Sequence, residues 1–131
     1  MDVARLNLAF AWLWIVLGFG SGAILGTRFK GEHWLGGYAS FPRRLYRLGH
    51  ISFFGLGFIN FLFAVTLRVF AIHSPAVNWA GYAFIAGGVL MPVCCVLMAR
   101  FPTLKPAALF AAPVSGLLVG GGLTLFLILK P

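Results

Sequence analysis

The chain has almost no acid. Asp2 and Glu32 are its only carboxylate side chains in 131 residues, against ten lysines and arginines. Neither lies inside an apolar run, so no serine–histidine–acid set and no buried carboxylate relay can be assembled. The membrane-embedded glutamate that small multidrug transporters need is missing as well. Charged residues make up 9% of the sequence, where a soluble domain averages about 25%. Water is therefore not the main solvent. Cysteine is scarce too: Cys94 and Cys95 are adjacent within an apolar run, without the spacing of a zinc site or redox pair. They read as small apolar packing residues. No P-loop or dinucleotide fingerprint occurs, and no metal site is expected.

What fills the chain instead is hydrocarbon. Hydrophobic residues reach 61% and the mean hydropathy is +0.99. Four apolar runs stand out, at 6–26, 49–67, 79–99 and 107–129. At ~1.5 Å per residue each approaches the ~30 Å of a bilayer's hydrocarbon. Backbone polar groups in lipid must be satisfied within the segment, so each run is expected to be a helix. The expectation is an all-α, integral membrane, four-helix transmembrane bundle with antiparallel neighbours, forming one domain over residues 1–131. The first run is too long for a signal-peptide core and is read as retained.

The cations are unevenly shared. Arg28, Lys30, Arg43, Arg44 and Arg47 lie between the first two runs, and Arg100 and Lys105 between the last two. Arg5, Arg68 and Lys130 fall at the opposite ends. The positive-inside rule puts the richer face in the cytoplasm and both termini outside, as in a bacterial plasma membrane. A net charge of +8 placed beside apolar spans suits anionic lipid or an acidic partner, not nucleic acid. The 27–48 segment alternates aromatics with glycines and arginines. It is expected to lie along the membrane surface, with Trp34, Tyr38, Arg43, Arg44 and Arg47 facing lipid headgroups or a larger partner subunit.

Small residues recur every four positions. Gly18, Gly22 and Gly26 do so on the first run, and Ala108, Ala112, Gly116 and Gly120 on the fourth. Such stripes let helix backbones approach closely where lipid gives no hydrophobic drive. Pro92 and Pro113 interrupt the third and fourth runs. Pro92 would clash with the carbonyl of Gly88, four residues earlier, so a kink is expected there. Kinks at matched depth would widen the cytoplasmic half or shape each helix around a neighbour. Asn60, near mid-membrane, is expected to seek an interhelical hydrogen bond.

One histidine calls for an explanation. In RLYRLGHISFFGLGFINFLFAVTLR, residues 44–68, His50 stands where a basic stretch turns apolar. Two readings are open: an interfacial residue bonded to a carbonyl or headgroup, or an axial ligand of haem b paired with Met98 or His33. The stretch resembles the low-spin-haem helix of haem–copper oxidase catalytic subunits, where a basic Leu-rich start leads to a histidine and then to Gly, Asn and Thr. The likeness stops at this stretch and slips by one position after the histidine. GFGSGAILGTRF and GGGLTLF loosely resemble Gly-rich segments of fluoride channels, to which the basic loop is foreign.

The leading expectation for function is a non-catalytic accessory subunit of a larger membrane complex of electron-transfer or photosynthetic type, with other membrane subunits as partners and no cofactor. The alternatives are a haem b- or quinone-binding carrier using His50, and a small oligomeric channel or transporter built around Asn60 and the glycine stripes.

Overall fold

In a computed structural model, residues 2–28 and 31–130 are described; Met1, Phe29, Lys30 and Pro131 lie outside the described residues. The basic-loop assignment of Lys30 therefore has no structural counterpart here. The described chain is all-helical. It comprises α1 (Val3–Arg28), a single 3-10 turn η1 (Trp34–Gly36), α2 (Phe41–Val69), α3 (Ala76–Arg100) and α4 (Pro106–Leu129). The four α-helices are long and apolar enough to cross a membrane. Short connections at 70–75 and 101–105 make consecutive helices antiparallel neighbours.

The main departure from expectation is the start of α2. It begins at Phe41 rather than Gly49, because Ser40 and Pro42 form a helix start in front of the arginines. Ser40 Oγ accepts from the Arg43 N–H at 3.4 Å, and the proline fills a first-turn position where no intrahelical donor is needed. Arg43, Arg44 and Arg47 are therefore helical, and the surface segment shrinks to the residues before Phe41. His50 lies not in a first turn but ~14 Å along the helix at 1.5 Å per residue.

Each helix packs mainly on its neighbours in sequence, with a smaller contact between α1 and α3. The tight core is at the end that holds the N-terminus. There Val3 and Ala4 of α1, Phe63, Ala64 and Leu67 of α2, and Val77, Ala80 and Phe84 of α3 bury one another, with Leu117, Leu123 and Leu127 of α4 against them. Asp2 caps this end of α1, accepting from the Ala4 N–H at 3.1 Å, and also pairs with Arg68 at the exposed tip of α2. That solvent-screened pair adds little stability.

Glycine sets the helix contacts, though not always where the stripes suggested. A Cβ on Gly18 would meet the Phe54 ring at 2.8 Å, and one on Gly22 would meet His50 Cε1 at 2.8 Å. On Gly116 it would come within 3.1 Å of the Ala83 carbonyl oxygen, and on Gly120 within 2.9 Å of the Phe84 ring. Gly26 has open space beside it, and Ala112 is exposed, so these two stand off the packing faces. The stripes continued past the point where the helices separate. α3 adds Gly81, Gly87 and Gly88, which no regular spacing announced: a Cβ on Gly87 would meet the Pro113 carbonyl oxygen at 3.1 Å, and one on Gly88 the Phe10 ring at 2.8 Å.

Both prolines leave a carbonyl that a neighbouring helix then serves. Pro92 has no N–H for Gly88, and the indole N–H of Trp14 on α1 donates to that carbonyl at 3.2 Å. Pro113 has none for Leu109, and the Cys94 thiol on α3 donates there at 3.3 Å. In hydrocarbon an unserved carbonyl costs several kcal/mol, so these bonds fix which face each helix shows its neighbour. Cys94 is thus a donor as well as filler. Asn60 departs from expectation. Its amide nitrogen donates to Leu56 O of its own helix at 2.8 Å, and Asn7 does the same to Val3 O at 3.0 Å.

Candidate functional site: a groove at the basic end

From Trp14 toward Arg28, α1 leaves α3. Its buried residues are Val3, Ala4, Asn7, Ala11 and Gly18, and none follows Gly18. The separation opens a groove of about 770 Å³ between α1 and α3, floored by α2 and roofed by η1. Ligand sites commonly have ~300–1,000 Å³. Ile24, Phe53, Val89, Val93, Val96 and Leu97 give it apolar walls, and Trp14 stands at its inner end. From Arg28 to Trp14 is about 20 Å along α1, comparable with the ~15 Å of one leaflet's hydrocarbon.

The polar groups in the wall are few and separated by depth. Arg28 and Arg100, the last residues of α1 and α3, stand at the mouth. There each guanidinium offsets the negative end of its own helix dipole. About 10 Å deeper along α1 sit Ser21 and His50, with Ser21 Oγ 3.0 Å from His50 Nδ1. Ser21 Oγ is also 3.0 Å from the Gly18 carbonyl oxygen. The hydroxyl has one proton, and only one assignment gives both contacts a hydrogen. Ser21 donates to Gly18 O, and Nδ1–H donates to Ser21 Oγ. In a neutral imidazole this tautomer leaves the lone pair on Nε2. Phe54, edge-on at 5.5 Å between ring centroids, holds the ring from the other side.

The roof is held down by arginines. Arg43 is buried; its guanidinium lies 5.7 Å from the Trp34 ring and 5.4 Å from the Tyr38 ring, and donates to Glu32 O at 3.4 Å. Arg47 stacks on Tyr38 at 4.1 Å and donates to its carbonyl at 3.3 Å. Of the five residues expected at a lipid or partner surface, Trp34 and Arg43 thus turn inward, and Arg47 is engaged with Tyr38. Tyr38 and Arg44 are exposed. Leu35, which lines the groove beside Trp34 of the same turn, holds φ +56°, a left-handed conformation that costs a side-chain-bearing residue ~1–2 kcal/mol.

The other suggested ligands are elsewhere. Met98 is 2% exposed and does not line the groove. The groove residues Val89, Val93, Val96 and Arg100 follow one face of α3, and Met98 falls near the opposite one by the 3.6-residue period. His33 is exposed before η1 and outside the groove lining. Among the described residues no group of three His, Cys, Asp or Glu side chains could hold a metal. Asn60 is 0% exposed within the α1–α2–α3 seam, turned away from any surface where a second copy could build a lumen. The sequence reading missed the groove itself, whose walls come from α1, α2 and α3 and whose shape depends on where α1 separates. The chain matches no family model, no curated protein and no solved structure.

Proposed function

We propose that this protein is a non-catalytic membrane subunit that seats an amphipathic, acid-bearing guest in the groove on behalf of a larger membrane assembly. The observation that carries the reading is the order of chemistry with depth: two arginines at the mouth, one histidine–serine pair in the wall, and otherwise aliphatic and aromatic side chains. Every charged side chain lining the groove is a cation, which favours an anionic head at the headgroup level and an apolar body beneath it. α4 buries only Pro113 and Gly120. Its outer face, with Leu118, Leu125 and Phe126, is the surface this reading gives to a partner subunit. The basic end is assigned to the cytoplasm of a bacterial plasma membrane by the lysine–arginine asymmetry.

The test is purification in mild detergent followed by native mass spectrometry. Wild type should retain an anionic amphiphile, and the Arg28→Gln/Arg100→Gln double variant should lose it with the fold intact by helical circular dichroism. Retention of only zwitterionic or neutral lipid, equal in both proteins, would defeat the reading.

A further inference from the structure

Resting on that reading, the geometry points to one guest: we infer that the groove binds an iron porphyrin bearing two carboxylates, with His50 Nε2 as its axial ligand and Arg28 and Arg100 as partners of the carboxylates. Three features of the wall converge on it. The Ser21 hydroxyl fixes His50 in the Nδ1–H tautomer, and among the described residues Nε2 receives no hydrogen bond. An imidazole whose far N–H is held by a hydrogen bond is the ordinary arrangement of a metal-ligating histidine. Gly22 lets α1 lie close against this ring: a Cβ there would come within 2.8 Å of Cε1, so a larger residue would push the imidazole from its place.

The second feature is the interval between polar levels. An ordinary phospholipid presents hydrocarbon ~10 Å below its phosphate, where the groove has an imidazole in its lining. A porphyrin carries its carboxylates on one edge and its iron at the centre, so a single molecule meets both levels. Third, the walls are broad, apolar and aromatic, with Trp14, Tyr46 and Phe53 beside Val93 and Leu97, as a flat hydrophobic macrocycle needs. Met98 and His33 do not line the groove, so the described residues supply one axial ligand. The iron would be five-coordinate in the isolated subunit.

The experiment titrates the detergent-purified full chain with hemin, following the Soret band and the quenching of tryptophan fluorescence by energy transfer from Trp14 and Trp34. Wild type should saturate at one hemin per chain with a high-spin spectrum that added imidazole converts to low-spin. His50→Gln should lose the saturable phase. Ser21→Ala should weaken binding by about tenfold, the lower end of the usual effect of a ligand's hydrogen-bond partner. Hemin dimethyl ester, which has no free carboxylates, should bind wild type and the Arg28→Gln/Arg100→Gln variant equally weakly. An identical Soret response in wild type and His50→Gln, both helical by circular dichroism, would mean that hemin only partitions into micelles, and would overturn the inference. Arginine-dependent retention of an anionic phospholipid without His50-dependent hemin binding would overturn the porphyrin while leaving the groove reading intact. Loss of both would overturn both.

Discussion

Replacing Trp14 by Phe isolates one hydrogen bond whose purpose the chain explains. In wild type the Gly88 carbonyl has lost its helical donor to Pro92 and takes the Trp14 N–H at 3.2 Å instead. Trp14→Phe keeps an aromatic ring against Phe10, stacked on the indole at 4.0 Å between centroids, and removes the donor. Hydrogen bonds between membrane helices average about 0.6 kcal/mol and reach about 1.7. This one belongs near the top of that range, because the proline has removed the carbonyl's fallback. We expect a loss of ~1.5 kcal/mol from the bond, plus a packing term for the smaller ring. The packing term is separated by a double-mutant cycle. In a Pro92→Ala background the backbone regains an N–H at that position, which returns to Gly88 O, so Trp14→Phe should cost only the packing term. The difference between backgrounds should be ~1 kcal/mol or more. Stability would be read by helical circular dichroism during unfolding in mixed micelles, which does not depend on the deleted indole. Equal costs in both backgrounds would refute the idea that Trp14 serves the carbonyl orphaned by Pro92.

Cys94→Ala should cost about 1–3 kcal/mol, the penalty for leaving a buried acceptor unserved, because Leu109 O loses its donor, while Cys94→Ser keeps the donor; unfolding midpoints that rank the two alike would contradict this. Gly116→Leu should sharply lower the folded yield, because a Cβ there already comes within 3.1 Å of backbone, whereas Gly121→Leu, with open space around it, should be tolerated in the same size-exclusion assay. Asn60→Leu should be neutral or stabilising. Its Oδ1 is buried with no protein donor among the described residues, and exchanging an unsatisfied buried polar group for an apolar one of like shape costs little; a loss above ~1 kcal/mol would show that the oxygen has a donor. Cysteines introduced at Tyr38 and Lys130, in a chain with Cys94 and Cys95 replaced, should label from opposite sides of the membrane, Lys130 from the outside; labelling of both from one side would break the topology.

Fold class was legible because lipid leaves the backbone few choices. Four apolar runs of bilayer length imply four helices, and their ends moved by only a turn or so, except at α2. There the arginines masked a helix start that Ser40 and Pro42 did announce, since a hydropathy pattern reads charge as loop even where cap chemistry reads helix. The contacts of Gly18, Gly22, Gly116 and Gly120 were visible as spacing. Gly87 and Gly88 were not, because α3 is contacted on two faces and shows no single stripe. The histidine was visible and its partner was not. Ser21 meets His50 only through the antiparallel register of α1 on α2, which Gly18 against Phe54 and Gly22 against His50 fix by close approach. Arg28 and Arg100 were counted for topology, and nothing in their spacing shows that they flank one opening.

The Trp14 bond also decides where the groove can exist. On the N-terminal side of it, α1 buries Val3, Ala4, Asn7 and Ala11 against its neighbours. On the other side α1 holds α2 through Gly18, Ser21 and Gly22, while α3 stands away across the groove. Pro92 is therefore more than a helix irregularity: by freeing one carbonyl it gives the Trp14 indole an acceptor at the last level where α1 touches α3, and the same residue lines the groove just beyond that tie. In an unbroken α3 that carbonyl would be served by its own helix and would have less need of the indole. The inner end of the groove and the helix defect thus meet at one residue. A loss of groove binding in Pro92→Ala, with His50, Arg28 and Arg100 all retained, would follow from the shape of the groove rather than from its chemistry.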